Sequence, residues 1–413
     1  MGRTSGLIAL VVALVLISPA AASGSELKTW KLHSSGIDPA QARIGVSPKP
    51  GFPKLPRDSL RVNVMLPDGY NGKRRFPVLF LLHGIGWGYD YWMEPRGGDL
   101  REIGKGLEAI VVMPEGGRGW YTDWWNGGRR TDPAWERFHV DRLIRAATRR
   151  LRVRRGRRWH AMAGFSMGGL GAALYAARRP DYFGSVALMS GVLDIQRPET
   201  PAFFDGLASG FSSSIDGPAA KPETHEDVWG DPEAQEFWWA AHNPTALAAN
   251  LARSRVFLTV GNGSPFSAAD ATSASTEGLP VAGLAESYIR TLNDDFISAA
   301  GEAGVTDLTV NRRSGLHSNF ASRLGLSETL AWGPFHRVES SPHRWRYATA
   351  ARRGRMWQFR FRFNEPPDQL VSFERRGRWL RGEGKGRVRL RRRGCRLRLS
   401  LPDRVRLRRD CAT

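Results

Sequence analysis

One serine lies in a pattern that is typical of an enzymatic nucleophile. The stretch Gly164-Phe165-Ser166-Met167-Gly168 fits G-x-S-x-G, in which a strand turns sharply into a helix and leaves the serine hydroxyl exposed. Such a turn is crowded on both sides, and glycine at positions 164 and 168 suits it. The pattern therefore predicts acyl chemistry at the Ser166 hydroxyl. The alternative is a glycine-rich turn without chemistry.

A serine nucleophile needs a base and an acid that orients the base, and with this turn they follow in the order Ser, acid, His. Among nine histidines, His317 follows the last predicted strand through the short loop 311–316. That position places its imidazole at the same sheet edge as Ser166. The loop after 259–263 should lead to the acid. The residues alone leave the choice open among Asp270, Glu286, Asp294 and Asp295.

Acyl transfer through a serine also needs donors for the oxyanion that develops on the substrate. The amide of Met167, directly after the serine, is one predicted donor. The loop His83-Gly84-Ile85-Gly86, which follows an apolar run, should supply a second amide at Ile85. The competing interpretation of this loop is an ordinary turn at a strand end.

Buried strands must hold these loops at one edge. Apolar or alternating runs separated by helical or turn patterns predict a mostly parallel, doubly wound sheet of the α/β-hydrolase class. Residues 134–151 show helical spacing between two of these runs. The predicted strands are Leu60–Leu66, Pro77–Leu82, Ala109–Met113, the strand before Ser166, Ser185–Met189, Arg255–Val260 and Asp307–Val310.

The pattern changes in the last part of the chain. Phe359, Phe361 and Phe363 alternate with arginine, and later leucines and valines do the same, which indicates antiparallel strands with one apolar face. From Arg337 onward there are 24 Arg and Lys against 7 Asp and Glu, a net charge of +17 out of +21 for the chain. We therefore predict an α/β-hydrolase domain at 59–336 and a small basic β-rich domain at 345–413.

The N-terminus has the order of a secretory signal peptide: Arg3, an apolar run over 7–17, then small residues at 20–22. We predict a signal peptide at 1–22, an extended segment at 23–58 and an exported protein without a membrane span after cleavage. The two cysteines, Cys395 and Cys411, are disulfide candidates in that setting. No metal site and no cofactor are expected.

The chain resembles the secreted esterase family that includes esterase D and the antigen 85 mycolyltransferases. The resemblance covers about residues 45–335, and its motifs occur in the order of the family. The matching pieces are Leu81-Leu82-His83-Gly84, Val112-Met113-Pro114, Tyr121-Thr122-Asp123-Trp124, Gly164-Phe165-Ser166-Met167, Asn243-Pro244-Thr245, Gly261-Asn262-Gly263-Ser264-Pro265 and His317-Ser318.

The resemblance implies which acid is used. Mycolyltransferases carry a glutamate at the start of a helix beyond the Gly-Asn-Gly loop, and Leu284-Ala285-Glu286 looks like that segment. Glu286 is thereby preferred over Asp270. The resemblance also implies that His83, Gly84 and Trp124 lie at the substrate.

The chain also departs from the family pattern. Mycolyltransferases have an Asp before the oxyanion-loop glycine and an Arg two residues after it, both used on the sugar acceptor. Here those positions are His83 and Gly86. The departure puts recognition of trehalose in doubt and favours a general esterase.

Three functions remain open at this stage. The first is a secreted serine carboxylic ester hydrolase with an acyl-serine intermediate. The second is an acyltransferase, mycolyltransferase-like or diacylglycerol acyltransferase-like, with a sugar or lipid acceptor. The third is a non-catalytic cell-surface binding protein. The basic region predicts attachment to anionic cell-envelope polymers or lipid headgroups rather than to nucleic acid.

Overall fold

The computed structural model describes residues 25–34, 59–128, 133–215, 222–274 and 278–412. The predicted signal peptide at 1–22 lies outside these ranges, as does most of the predicted extended segment at 23–58. Within the described ranges, none of the helices combines the length and the apolar character that crossing a membrane requires.

The first part of the chain forms an eight-stranded sheet with the order β1-β2-β4-β3-β5-β6-β7-β8. Strands β3 to β8 pair in parallel, while β1-β2 and β2-β4 are antiparallel. The bounds are β1 Glu26–His33, β2 Ser59–Leu66, β3 Val78–Leu82, β4 Ile110–Pro114, β5 His160–Phe165, β6 Ser185–Met189, β7 Arg255–Val260 and β8 Leu308–Arg312.

The strands in the middle of this sheet are covered on both faces. Every residue of β3, β4, β5 and β6 is buried, as continuous apolar runs between two helical layers require. The strands predicted from residue 60 onward are all present. The sheet nevertheless begins earlier than residue 59, because β1 pairs with β2 at its edge. Most side chains of β1 are exposed or half-buried, so its sequence carries no strong strand pattern.

Helices connect the strands. A π-helical turn at Phe138–Leu143 joins α2 to α3 into the continuous helix predicted for 134–151. The bounds are α1 Leu100–Ile103, α2 Trp135–Arg137, α3 Ile144–Arg150, α4 Met167–Arg178, α5 Thr200–Ile215, α6 His225–Trp229, α7 Glu236–Ala241, α8 Ala268–Ser273, α9 Leu279–Glu302, α10 Asn319–Trp332 and α11 Arg409–Ala412.

The last part of the chain forms a six-stranded antiparallel sheet. Its order is β10-β11-β13-β12-β9, and β14 pairs with the other side of β13. β13 is long enough to pair with β12 along its first half and with β11 along its second half. The bounds are β9 Arg344–Thr349, β10 Arg353–Met356, β11 Phe359–Phe363, β12 Val371–Arg376, β13 Trp379–Arg392 and β14 Cys395–Arg406.

This second sheet has an apolar core of its own, formed by the alternating aromatic and aliphatic residues. A disulfide joins Cys395 at the start of β14 to Cys411 in α11. We retain the division at 59–336 and 345–413 as a proposal, with β1 added to the first unit.

Buried polar contacts connect the two sheets. Asn250 donates to the carbonyl of Ala348 in β9 (2.9 Å) and accepts from its amide (2.7 Å). The Tyr347 hydroxyl donates to the carbonyl of Arg178 (3.3 Å), and Arg157 lies 4.8 Å from the centre of the Trp357 ring. The second sheet is therefore packed on the first through specific contacts.

Candidate active site

Ser166 occupies the turn between β5 and α4. Its φ of 57° and ψ of −121° are strained for a residue with a side chain, and its amide donates to the Met189 carbonyl at 2.9 Å. A Cβ atom on Gly164 would lie 2.0 Å from the carbonyl oxygen of Gly168, and one on Gly168 would lie 2.4 Å from that of Leu82. Only glycine fits at both positions.

The structure brings His317 and Glu286 to this serine. The Ser166 hydroxyl lies 2.8 Å from Nε2 of His317, and Nδ1 of His317 lies 2.7 Å from Oε2 of Glu286. His317 is in the loop between β8 and α10, whereas Glu286 is in α9. The three side chains form one chain of hydrogen bonds in which the serine donates to the imidazole and the imidazole donates to the carboxylate.

Glu286 is completely buried, and its second oxygen is also satisfied. Oε1 accepts from the Ser190 hydroxyl and from the amide of Gly261, both at 2.6 Å. Charged hydrogen bonds of this kind compensate the loss of water around a buried carboxylate. They also hold the carboxylate in one orientation toward the imidazole.

Asp270, the other acid considered, is buried elsewhere in the same region. Its Oδ2 accepts from the amides of Phe266 (2.9 Å) and Leu316 (3.0 Å), and its Oδ1 accepts from the Ser318 hydroxyl (2.6 Å). Leu316 and Ser318 are the two neighbours of His317 in the chain. Asp270 therefore anchors the loop that carries the imidazole without bonding the imidazole itself.

The loop predicted to supply one oxyanion donor approaches the serine, and Met167, predicted to supply the other, follows it in the chain. Gly84 is so close that a Cβ atom on it would lie 3.4 Å from Cβ of Ser166. Within the described parts of the chain, neither the Ile85 amide nor the Met167 amide donates to a protein acceptor. Met167 begins α4, where amides have no partner within the helix.

The structure does not place the His83 and Trp124 side chains where a ligand could bind to their polar atoms. The His83 ring is 1% exposed, with Nε2 accepting from the Gly116 amide at 2.9 Å and Nδ1 at 2.7 Å from the Gly84 carbonyl. Trp124 is buried, and its indole donates to the Gly119 carbonyl at 3.1 Å. Both residues support loops near the site, because their polar atoms are occupied by backbone groups.

Several supporting residues were not identified from the sequence. Ser190 follows β6 directly, at the same sheet edge as Ser166, and that position could have indicated it. Phe165 stacks on the His317 ring with ring centres 4.8 Å apart. The Tyr121 hydroxyl donates to the His83 carbonyl at 3.1 Å and so fixes the start of the oxyanion loop.

Two further groups, the buried His139 and the half-buried Asp123, have strongly shifted pKa values. Burial lowers the pKa of His139 to about 3, which keeps its ring neutral between the Tyr175 hydroxyl and the Glu115 carbonyl. Burial together with the charge of Glu136 raises the pKa of Asp123 to about 7. Among the described residues there is no group of three or more His, Cys, Asp or Glu that could hold a metal ion.

The parallel sheet, the strand–serine–helix turn and the position of the histidine after the last strand define an α/β-hydrolase fold. A family model described as "Putative esterase" matches residues 54–290, which is more than half of the chain. The chain belongs to this esterase family.

Two mycobacterial relatives agree with this assignment. The chain is 32% identical over 204 residues to Esterase Rv1288 of Mycobacterium tuberculosis, covering 48% of this chain and 42% of that protein. It thus spans less than half the length of that esterase. It is 28% identical over 316 residues to the diacylglycerol acyltransferase/mycolyltransferase Ag85A of Mycobacterium leprae, covering 72% of this chain and 86% of that protein.

A solved structure supports the fold. The fluorophosphonate-binding serine hydrolase FphF of Staphylococcus aureus superposes with a TM-score of 0.52 at 15% identity, covering 76% of this chain and all of FphF. At this identity the similarity concerns the fold alone.

Proposed function

We propose that the chain is a serine carboxylic ester hydrolase that works through an acyl-serine intermediate. The observation that carries the proposal is the continuous series of hydrogen bonds from Glu286 through His317 to Ser166. The amides of Ile85 and Met167, which have no acceptor within the described ranges, can supply the second requirement of acyl transfer. Membership of the esterase family gives the reaction class.

In the first half of the reaction, His317 Nε2 takes the proton of the Ser166 hydroxyl while Oγ bonds to the ester carbonyl carbon. The negative charge then moves to the carbonyl oxygen, where the amides of Ile85 and Met167 stabilise it. When this intermediate collapses, the bond to the alcohol oxygen breaks and His317 gives its proton to the leaving alcohol. Glu286 stabilises the charged imidazolium and keeps Nδ1 protonated.

In the second half, a water molecule replaces the alcohol. His317 takes a proton from the water as its oxygen attacks the acyl carbon, and the same amides hold the second oxyanion. Collapse breaks the bond between Ser166 Oγ and the acyl carbon, and the proton returns to the serine. The products are the carboxylic acid and the free enzyme.

Replacing Ser166 by alanine tests this proposal. We expect kcat for a p-nitrophenyl ester to fall by about 10⁴-fold or more, with the thermal transition retained. A fluorophosphonate probe should label the wild type and the control variant Ser372→Ala, whose serine is exposed on β12, but not Ser166→Ala. Labelling that persists in Ser166→Ala would refute the assignment of the nucleophile.

An acyltransferase is the second candidate function, favoured by the similarity to Ag85A over 86% of that protein. Transfer shares every step up to the acyl-serine and differs only in which hydroxyl attacks it. The residues His83 and Gly86, at the positions where mycolyltransferases carry acceptor-binding Asp and Arg, argue for water as the acceptor. An ester chain-length panel, run with and without trehalose or diacylglycerol and analysed for transfer products, separates the two functions.

A non-catalytic binding protein is the third candidate, and an intact hydrogen-bond series at Ser166 argues against it. We also propose that the chain is exported and that its basic C-terminal sheet attaches it to anionic cell-envelope polymers or lipid headgroups. The charge of +17 after residue 336 supports such attachment. Binding to envelope material that weakens steeply above about 0.1 M salt, where the Debye length is about 10 Å, would support it. Salt-independent binding would contradict it.

A further inference from the structure

Most outward side chains in one half of the C-terminal sheet are arginines, and the pair Arg387 and Ser400 lies at the end of this region. Eight of these arginines lie on β10, β11, the second half of β13 and the first half of β14. Apolar side chains of the same strands point into the core. We call these eight residues the arginine ladder. They are Arg353, Arg355, Arg360, Arg362, Arg389, Arg391, Arg396 and Arg398.

The strand register arranges the arginine ladder in two rows that cross four strands. Directly opposite partners in the first row are Arg355, Arg360, Arg391 and Arg396. Those in the second row are Arg353, Arg362, Arg389 and Arg398. Neighbouring strands are about 4.8 Å apart, so each row extends for about 14 Å, and the rows lie about 7 Å apart.

Few of these charges have protein partners. Arg355 lies 3.6 Å from the carboxylate of Asp181, and Arg389 bonds to the side-chain oxygen of Asn364 at 3.2 Å. The other six form no ion pair with an acid in the described part of the chain. Like charges directly opposite one another destabilise a sheet, so this arrangement has a cost that the fold does not offset.

The other half of the same sheet is arranged differently. There Glu374 lies opposite both Arg346 and Arg381, and it also forms an ion pair with Arg376 at 2.9 Å. Arg381 forms a further ion pair with Glu383. A basic composition alone would give a mixture of charges in both halves. The outward positions of the four described strand segments of the arginine ladder carry no acid, which indicates an anionic partner from outside the chain.

The spacing of the rows limits the form of that partner. Guanidinium groups bind carboxylates through two parallel hydrogen bonds, and here they repeat at the spacing of adjacent strands. A polymer whose carboxylates repeat at about 4.8 Å would match that spacing, and a chain with one carboxylate on each sugar is such a polymer. A cleft of about 520 Å³, lined by Arg391, Arg392, Gly394, Cys395 and Arg396, continues from the end of the first row.

We propose that the arginine ladder binds a linear acidic polysaccharide with one carboxylate on each sugar. The polymer lies between the rows, and each carboxylate meets guanidinium groups from both. This inference rests on the attachment proposed above and specifies the anionic partner of the basic sheet. The polymer site is separate from the active site at Ser166. Such a site would hold the esterase on a charged polymer while the ester reacts elsewhere on the molecule.

Two other anionic partners fit less well. Single-stranded nucleic acid is bound with aromatic side chains on which the bases stack, and no outward position of the four described strand segments of the arginine ladder is aromatic. Peripheral binding to a lipid surface combines basic residues with apolar side chains that enter the headgroup region. Among the described residues, the exposed large apolar side chains are Phe266, Leu279, Val281, Leu284 and Trp379, and none of them belongs to the arginine ladder.

The test uses the full-length protein and oligogalacturonates of two to eight sugars at one fixed salt concentration. Affinity should increase up to four sugars, the length of one row, and change little beyond that. The ladder variant carries Arg360→Gln, Arg362→Gln, Arg391→Gln and Arg398→Gln. A matched control removes four charges from the other half: Arg376→Gln, Arg381→Gln, Arg404→Gln and Arg406→Gln.

We expect the ladder variant to lose at least about tenfold in affinity for the octamer and the control to stay within about threefold. Both should hydrolyse a small soluble ester at the wild-type rate, which separates failure of this inference from failure of the esterase proposal. If the four substitutions together impair folding, the single variant Arg391→Gln replaces the ladder variant. We expect it to lose affinity for the octamer by an intermediate factor.

Three results would overturn the inference. An equal loss in both variants would mean that only net charge matters. Single-stranded DNA of equal charge binding as tightly as the octamer would favour nucleic acid. Phosphatidylglycerol vesicles binding through the same arginines, with no binding of oligogalacturonate, would favour a lipid surface.

Discussion

The two sheets of the molecule treat charged side chains in opposite ways. At the carboxyl edge of the large sheet, Glu286 is completely buried and its two oxygens accept three hydrogen bonds at 2.6 to 2.7 Å. On the C-terminal sheet, seven of the eight ladder arginines face solvent without an acidic partner in the described chain. The charge of Glu286 therefore has its partners within the protein, whereas most charges of the arginine ladder do not.

The difference separates two kinds of functional surface. A reacting site needs groups that are already oriented, because reorganisation during the reaction would raise the barrier. A site that holds a polymer needs charges that remain available. The comparison predicts that substitutions at the active site alter the reaction rate and leave polymer binding unchanged. Substitutions in the arginine ladder should alter polymer binding and leave the reaction rate unchanged.

The largest expected effect is on the rate. Glu286→Gln should lower kcat by about 10²- to 10⁴-fold, because the amide cannot hold the imidazolium as the carboxylate does. Oligogalacturonate binding should be unchanged. Glu302→Gln, at the exposed end of the same helix, is the control. Wild-type activity in Glu286→Gln would show that Glu286 is not the acid that orients His317.

The second expected effect is on the stability of the protein in acid. It is caused by buried histidines in the part of the chain that forms the large sheet. The pKa of His139 is lowered from 6.5 to about 3, so below pH 6.5 only the unfolded state gains this proton. The free energy of unfolding should therefore fall as pH falls from 6.5 toward 3, by up to about 1.4 kcal/mol per pH unit for this group. His242, with its pKa also lowered to about 3, adds a term of the same sign.

Asp123 acts in the opposite direction. Its pKa is raised from 3.8 to about 7, so stability from this group is present below pH 3.8 and is lost as pH rises to 7. Urea unfolding between pH 4 and 7 measures this. As pH falls, the free energy of unfolding should fall less steeply in His139→Gln than in the wild type, and more steeply in Asp123→Asn. Identical pH profiles for all three proteins would contradict these assignments.

The contact between the sheets predicts a third effect. Asn250→Ala removes the bonds to both backbone groups of Ala348, which is half-buried. The free energy of unfolding should fall by about 1 to 3 kcal/mol. The exposed Asn71, replaced in the same way, should change it by less than about 0.5 kcal/mol. Equal effects in urea unfolding would mean that the sheets do not depend on this contact.

A fourth, smaller effect concerns the loop that carries the base. Asp270→Asn keeps the shape of the side chain and one acceptor oxygen, but it weakens the contacts on both sides of His317. We expect about a tenfold loss in kcat, equivalent to about 1.4 kcal/mol. If this variant is impaired more than Glu286→Gln, then Asp270 is the orienting acid.

The smallest expected effect has the opposite sign. Arg391→Gln relieves repulsion from Arg360 and Arg396, so it should stabilise the protein by about 0.2 to 1 kcal/mol. The gain should shrink as salt rises. Arg346→Gln, opposite Glu374, should give no gain. Destabilisation by Arg391→Gln at low salt would show that the row is not under strain from like charges.

Local patterns were sufficient for much of the fold and for part of the site. The strands from residue 60 onward are present because their apolar runs are long and bounded by turn residues. Ser166 and His317 could be placed from a turn motif and a position after a strand. Local patterns could not place Glu286, and only the family resemblance indicated it, because the fold determines which of the four acids on α8 and α9 meets the imidazole.

Other features depend on contacts between distant parts of the chain. The alternation of arginine predicted a basic face, but the two rows depend on which strands pair. β13 pairs with β12 along its first half and with β11 along its second half, and no local pattern shows this. The same reason applies to His83 and Trp124, whose polar atoms are occupied by backbone groups that the sequence does not identify.

The disulfide has a consequence for how the molecule behaves among copies of itself. β14 lies at an edge of its sheet, where unpaired backbone groups can recruit a strand from another chain. The bond between Cys395 and Cys411 closes the whole of this edge strand into a covalent ring. A strand whose two ends are tied together has fewer ways to separate and exchange with a neighbour. In an oxidising compartment the ring would keep this sheet from swapping or polymerising, so reducing agents should promote aggregation before they affect catalysis.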